Sequence, residues 1–140
     1  MSYVALATDA FDAMVRFYGE VLLFPVVSQW DRPTGRGRCF DLGCGLRLEI
    51  LDNVRQKHPA ALVAPGMRTH IVIEVNDIDR AWMTMPPESP APQTTSWGAR
   101  LFQIKDPDGI PITYLQWTRD SSAERSDISI RRQRPDAPPL

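Results

Sequence analysis

Few side chains in this sequence can do chemistry, and the useful ones fall on alternating stretches. His70 and Glu74 stand either side of Val72 in the run THIVIEV, and Arg47 and Glu49 either side of Leu48 in LRLEIL. Alternate residues of an extended strand share a face. His70 therefore joins Glu74 on one face, and Arg47 joins Glu49 on another. A histidine beside a carboxylate can move protons or orient a ligand, but without a nucleophile or a metal it does not amount to catalysis. A guanidinium can clamp a carboxylate or phosphonate; Arg47 could equally pair with Glu49. For a metal the supply is thin. A catalytic zinc normally takes three protein ligands, and non-haem iron two histidines and a carboxylate. Glu49 and His70 are the candidates, with Glu74 as a third. His58, the other histidine, stands in a connector just before Pro59.

Aromatic residues offer a second kind of chemistry. Trp30, Phe40, Trp97, Phe102, Tyr114 and Trp117 lie on or beside the extended stretches. Flat rings stack on planar ligands, and tryptophan is the best partner for a cation. Alternation puts Tyr114 in the core and Trp117 on the opposite, ligand-facing side. Trp97 sits in a loop. Trp30, Phe40 and Phe102 are read as lining, and Arg38 as a further polar ligand contact. Cys39 and Cys44 read as reduced thiols in a strand and its turn.

The elements that must position these groups follow from hydrophobic periodicity. Tyr3 to Thr8 alternates as a strand, Asp9 is a helix cap, and Phe11 to Val21 carries an apolar stripe at helical spacing. Pro25 ends that helix. Strands follow at Val26–Trp30, Arg38–Leu42 and Leu46–Leu51. A polar connector spans 53–67, and then the order repeats. Thr69–Val75 is a strand, and Asn76 or Asp77 caps a helix from Ile78 that Pro86-Pro87 stops. Ser89–Thr95 is an irregular loop. Strands at Arg100–Lys105 and Ile112–Trp117 flank an Asp106-Pro107-Asp108-Gly109 turn. The chain divides into modules at 1–52 and 68–118, the connector, and a flexible, arginine-bearing tail at 119–140.

Composition narrows the function classes. The chain has 140 residues, 43% of them apolar and 24% charged, with a net charge of −1. That is ordinary for a soluble domain and gives no pull toward nucleic acid or an anionic membrane. The opening residues lack a basic segment followed by an apolar run, and no stretch reaches the roughly 20 apolar residues of a membrane helix. A cytoplasmic protein is the expectation.

Strand–helix–strand–strand–strand, twice, resembles the paired βαβββ modules of the vicinal oxygen chelate superfamily, which holds glyoxalases, bleomycin resistance proteins and extradiol dioxygenases. ATDAFDAMVRFYGEVLLFPV is similar to that family's opening motif, with Phe17-Tyr18 matching and Leu23 standing where a glycine is usual. THIVIEVNDIDRAW resembles the start of its second module. SWGARLFQIKDPDGIPITYLQW resembles its closing hairpin. The resemblance implies an α+β fold of two modules whose sheets curl into a cup with helices outside. Val4, Leu6, Leu48, Ile50, Ile71 and Ile73 would face the helices. Tyr3, Glu49, His70, Glu74, Thr113 and Trp117 would face the cup. Metal-using members take one ligand from each of four strands, positions that fall here on Tyr3, Glu49, His70 and Thr113. Glu49 and His70 alone among these are good ligands. The resemblance therefore implies a homodimer that holds a small molecule, an antibiotic or aromatic metabolite, without a cofactor. Two alternatives stay open. One is a lyase, isomerase or dioxygenase using Zn, Ni, Mn or Fe at Glu49 and His70, which would then be catalytic. The other is a non-catalytic accessory subunit.

Overall fold

Alternation and turn chemistry build the two halves in the same way. The computed structural model describes residues 2–118 apart from 65 and 67. Its elements are β1 (Val4–Thr8), α1 (Phe11–Arg16) continued by a π-helical segment (Phe17–Val21), β2 (Val26–Arg32), β3 (Gly35–Gly43) and β4 (Leu46–Asp52), then β5 (Ile71–Glu74), α2 (Ile78–Met83), β6 (Gln93–Thr94), β7 (Ala99–Lys105) and β8 (Pro111–Trp117). They form two four-stranded sheets, ordered β1-β4-β3-β2 and β5-β8-β7-β6. In each, the strand before the helix runs parallel to the last strand, and the remaining pairs are antiparallel. The fold is α+β, two βαβββ units with curled, unclosed sheets. The tail assigned to 119–140 lies outside the described residues. Among those described, no helix is long and apolar enough to cross a membrane.

The helix ends differ from the sequence expectation in one place. Asp9 does not cap α1; the Ala10 N–H donates to Thr8 Oγ1 at 2.9 Å. Asp9 instead accepts from Asn53 Nδ2 at 2.7 Å. That amide also holds Ala60 through bonds of 2.8 and 3.0 Å, so it ties the connector to the first module. A six-residue α1 passes into the π segment, where Leu22 N–H reaches back to the Phe17 carbonyl at 2.9 Å. The stretch expected to be one helix is thus wider at its C-terminal turn. It stops at Leu23, whose φ of 62° is left-handed. Asp77 caps α2 as expected, its side chain accepting from Arg80 N–H at 3.0 Å. The segment read as an irregular loop contains the two-residue β6.

One hydrophobic core joins both units. Met14, Tyr18, Phe40, Leu48 and Ile50 of the first meet Ile73, Ile78, Phe102, Ile112 and Tyr114 of the second. Tyr18 donates its hydroxyl to Asp106 Oδ2 at 2.8 Å, a buried bond across 88 residues. The other carboxylate oxygen of Asp106 accepts the N–H groups of Asp108 and Ile110, both at 2.9 Å. The Asp-Pro-Asp-Gly turn is therefore also a docking point for the first helix.

Candidate functional site

Register divides each sheet into a helix-packed face and an opposite face. In the second sheet Val72 lies beside Thr113 and Gln103 pairs with Thr113. His70, Val72, Glu74, Gln103, Thr113, Leu115 and Trp117 thus share the face turned away from α2. The side chains confirm it by contact. His70 Nε2 lies 2.6 Å from Thr113 Oγ1, which also accepts from Gln103 Nε2 at 3.2 Å. Trp117 Nε1 donates to Glu74 Oε1 at 3.1 Å. The Trp117 ring meets the Trp97 ring edge-on, with centroids 5.4 Å apart. A polar corner and a tryptophan pair thus stand on one surface. Beside them a groove of about 420 Å³ is bounded by Trp97, Trp117, Leu115, Glu74 and Val72, and across it by Leu42 and Leu46. Trp97 lines that space and is 53% exposed.

On the first sheet, Cys39 pairs with Glu49 and Asp41 with Arg47. These four therefore lie on the face opposite α1. Trp30 joins them, because it pairs with Gly37 and its indole lies over that glycine. A Cβ on Gly37 would come within 2.2 Å of the indole, so only glycine leaves room for the ring. Burial pushes the Cys39 thiol above its ordinary range, the Glu49 charge pushes it further, and Arg47 opposes both. Burial likewise holds the Glu49 carboxyl above the usual carboxylate range.

The remaining candidates fall elsewhere. Phe40 and Phe102 do not line the cup. Phe40 is packed against Tyr18, and Phe102 is stacked on Tyr114 at 5.0 Å. Both are fully buried because their strand positions match Leu48 and Tyr114 on the helix-packed faces. Arg38 pairs with Ile50 and so sits on the α1 side, away from Glu49 and Arg47. Leu48, Ile50 and Ile73 are buried toward the helices as expected, whereas Val4 is 52% exposed at the β1 edge. Tyr3 is exposed just ahead of β1. His70 and Glu49 share no hydrogen bond or ion pair among the described residues; the partners of His70 are Thr113 and Gln103. Gln103 was missed by the sequence reading. Counting back from the Asp106–Gly109 turn would have found it, since that turn sets Lys105 opposite Pro111 and hence Gln103 opposite Thr113.

Among the four strand positions considered for a divalent ion, Glu49 and His70 carry the strong donor groups. No three His, Cys, Asp or Glu side chains converge among the described residues. Of the four positions named above, Tyr3 and Thr113 are weak ligands, and the Nε2 of His70 already faces the Thr113 hydroxyl.

Comparison with known proteins follows the same lines. A model of the Glyoxalase/Bleomycin resistance protein/Dioxygenase superfamily matches residues 1–114. No curated protein matches the chain. Among solved structures, a glyoxalase/bleomycin resistance protein/dioxygenase from Nocardioides is 25% identical with a TM-score of 0.64, over 84% of this chain and 83% of that one. The antibiotic-binding protein TnmS3 from Streptomyces sp. CB03234 is 20% identical with a TM-score of 0.59, over 83% and 93%. The trypanothione-dependent glyoxalase I of Leishmania major is 20% identical with a TM-score of 0.61, over 94% of each chain.

Proposed function

Because the chain belongs to the glyoxalase/bleomycin resistance protein/dioxygenase superfamily, we propose that it binds and sequesters a small, partly aromatic molecule, an antibiotic or secondary metabolite, without a metal. The observation that carries this reading is the single sheet face that holds both the His70–Thr113–Gln103 corner and the Trp97–Trp117 pair, with a groove beside the two tryptophans. Rings supply contact area, and a few placed polar groups fix orientation, which is how small-molecule sites are built. His70, Thr113 and Gln103 offer donors and acceptors bonded to one another, which suits a corner that orients a ligand. The weak metal donor set and the antibiotic-binding relative support the same reading.

Tryptophan fluorescence titration with a panel of aromatic antibiotics tests it. A binder should quench saturably, and Trp97→Ala should weaken it about tenfold, the value of one lost aromatic contact. Affinity should survive dialysis against a chelator, and the ligand should be recovered intact. Absence of saturable quenching across the panel, or binding that a chelator abolishes, overturns the proposal. The family resemblance also implies a homodimer, which static light scattering measures directly.

A further inference from the structure

Next to the groove lies a smaller cavity of about 170 Å³ between β1 and β5. Val4, Leu6, Leu48, Ile71 and Val72 make it almost wholly apolar, and Arg47 and His70 also line it. Among the described residues Arg47 Nη1 is buried without a hydrogen-bond partner, although the residue as a whole is half-buried. None of the ion pairs among the described residues includes Arg47. Asp41, opposite it in register, instead turns Oδ1 to the Gly43 N–H at 2.9 Å. Glu49, the next residue on that face, makes no ion pair with it. A charged donor buried among apolar groups without an acceptor is costly, and a ligand that brings an acceptor removes that cost. The cavity and the groove share Leu42, Leu46 and Val72, so one molecule can occupy both.

We propose that the ligand carries an anionic head, a carboxylate or similar oxyanion, bound by the Arg47 guanidinium while its flat apolar body runs along the groove toward Trp97 and Trp117. This rests on the binding function proposed above and names the ligand's chemical class. A guanidinium meets a carboxylate through two parallel N–H bonds, and apolar walls keep water from competing. A neutral amide of the same shape offers one uncharged acceptor in place of two charged ones.

Calorimetric titration with naphthalene-2-carboxylate and naphthalene-2-carboxamide, which differ in the charge of the head, is the test. Wild type should bind the acid at least about tenfold tighter, as one charge-assisted hydrogen bond warrants. Arg47→Met keeps the apolar stem, so it should remove that preference by weakening the acid far more than the amide. Arg47→Lys keeps the charge and should retain part of the preference. Circular dichroism establishes that each variant is folded; should Arg47→Met fail to fold, Arg47→Lys against wild type decides. Equal binding of acid and amide by wild type overturns the anionic head and leaves the binding reading standing. A preference that survives Arg47→Met in a folded variant overturns the role of Arg47. Failure of both probes to bind overturns the anionic-head proposal, while the antibiotic panel decides the binding reading separately.

Discussion

Replacing Tyr18 by phenylalanine should destabilise the protein by about 2 kcal/mol at neutral pH, because it removes a single hydroxyl bonded to a buried carboxylate. Asp106 is 5% exposed, so water cannot replace the lost donor. The Asp108 and Ile110 N–H groups both serve Oδ1, which leaves Tyr18 as the described donor to Oδ2. Hydrogen bonds to charged groups contribute roughly 1.5–3 kcal/mol, and an orphaned buried acceptor costs a similar amount. The pH dependence identifies the cause. Burial raises the folded-state pKa of Asp106, and the Tyr18 bond is among the interactions that pull it back down. Without Tyr18 that pKa rises further. A carboxyl raised on folding favours the folded state while it is protonated, and this advantage is lost as pH climbs through the folded pKa. The cost of Tyr18→Phe should therefore be full at neutral pH, shrink as pH falls through the raised folded-state range, and reach its minimum by the ordinary aspartate range. Urea unfolding at several pH values, followed by tryptophan fluorescence at fixed protein concentration, measures it. With a slope of about 2 kcal/mol per molar urea, the neutral-pH midpoint should fall by about 1 M. Asp106→Asn should cost less, since its Oδ1 keeps the two backbone bonds and its Nδ2 can donate to the Tyr18 oxygen. A neutral-pH loss under about 0.5 kcal/mol, or the same loss in acid, would refute the assignment of this bond as the latch between the two units.

Two further substitutions probe the backbone and the first sheet. Leu23 is exposed and holds φ at 62°, a conformation that costs a side-chain-bearing residue about 1 kcal/mol and glycine almost nothing. Leu23→Gly should thus raise stability by up to about 0.5 kcal/mol in the same assay, after glycine's greater freedom in the unfolded chain is set against the relieved strain. Glu49 has its carboxyl raised by burial, so its ionised form opposes folding. Glu49→Gln should accordingly raise the melting temperature at neutral pH and give no gain below the ordinary glutamate range, where both states are protonated; calorimetric scans across pH check the sign.

The strands were readable because alternation survives on both faces. Leu48 and Ile50 on one side of β4, and Arg47 and Glu49 on the other, specify a half-buried strand with no knowledge of its partners. Asp77 and the Asp106–Gly109 turn were readable because their chemistry is local. Asp9 failed as a cap because Asn53, distant in sequence, competes for its carboxylate while Thr8 supplies the acceptor. Phe40 and Phe102 were misplaced because an aromatic suits a core or a ligand surface equally well, and strand register alone separates the two. The polar corner was half legible. His70 and Thr113 were placed on one surface, but Gln103 required the hairpin register, and the expected approach of Glu49 to His70 depended on how the two sheets meet.

The parallel pairing within each unit also sets the order in which the chain can fold. Val4 must find Leu48, and Ile71 must find Ile112, before either sheet is complete. Such closures are entropically expensive, whereas the β3–β4 and β7–β8 hairpins close short turns. The hairpins should form first, each capturing its own leading strand. The Tyr18–Asp106 bond spans a still longer stretch of chain and should form late, when the two assembled units dock. Tyr18→Phe would then speed unfolding far more than it slows folding.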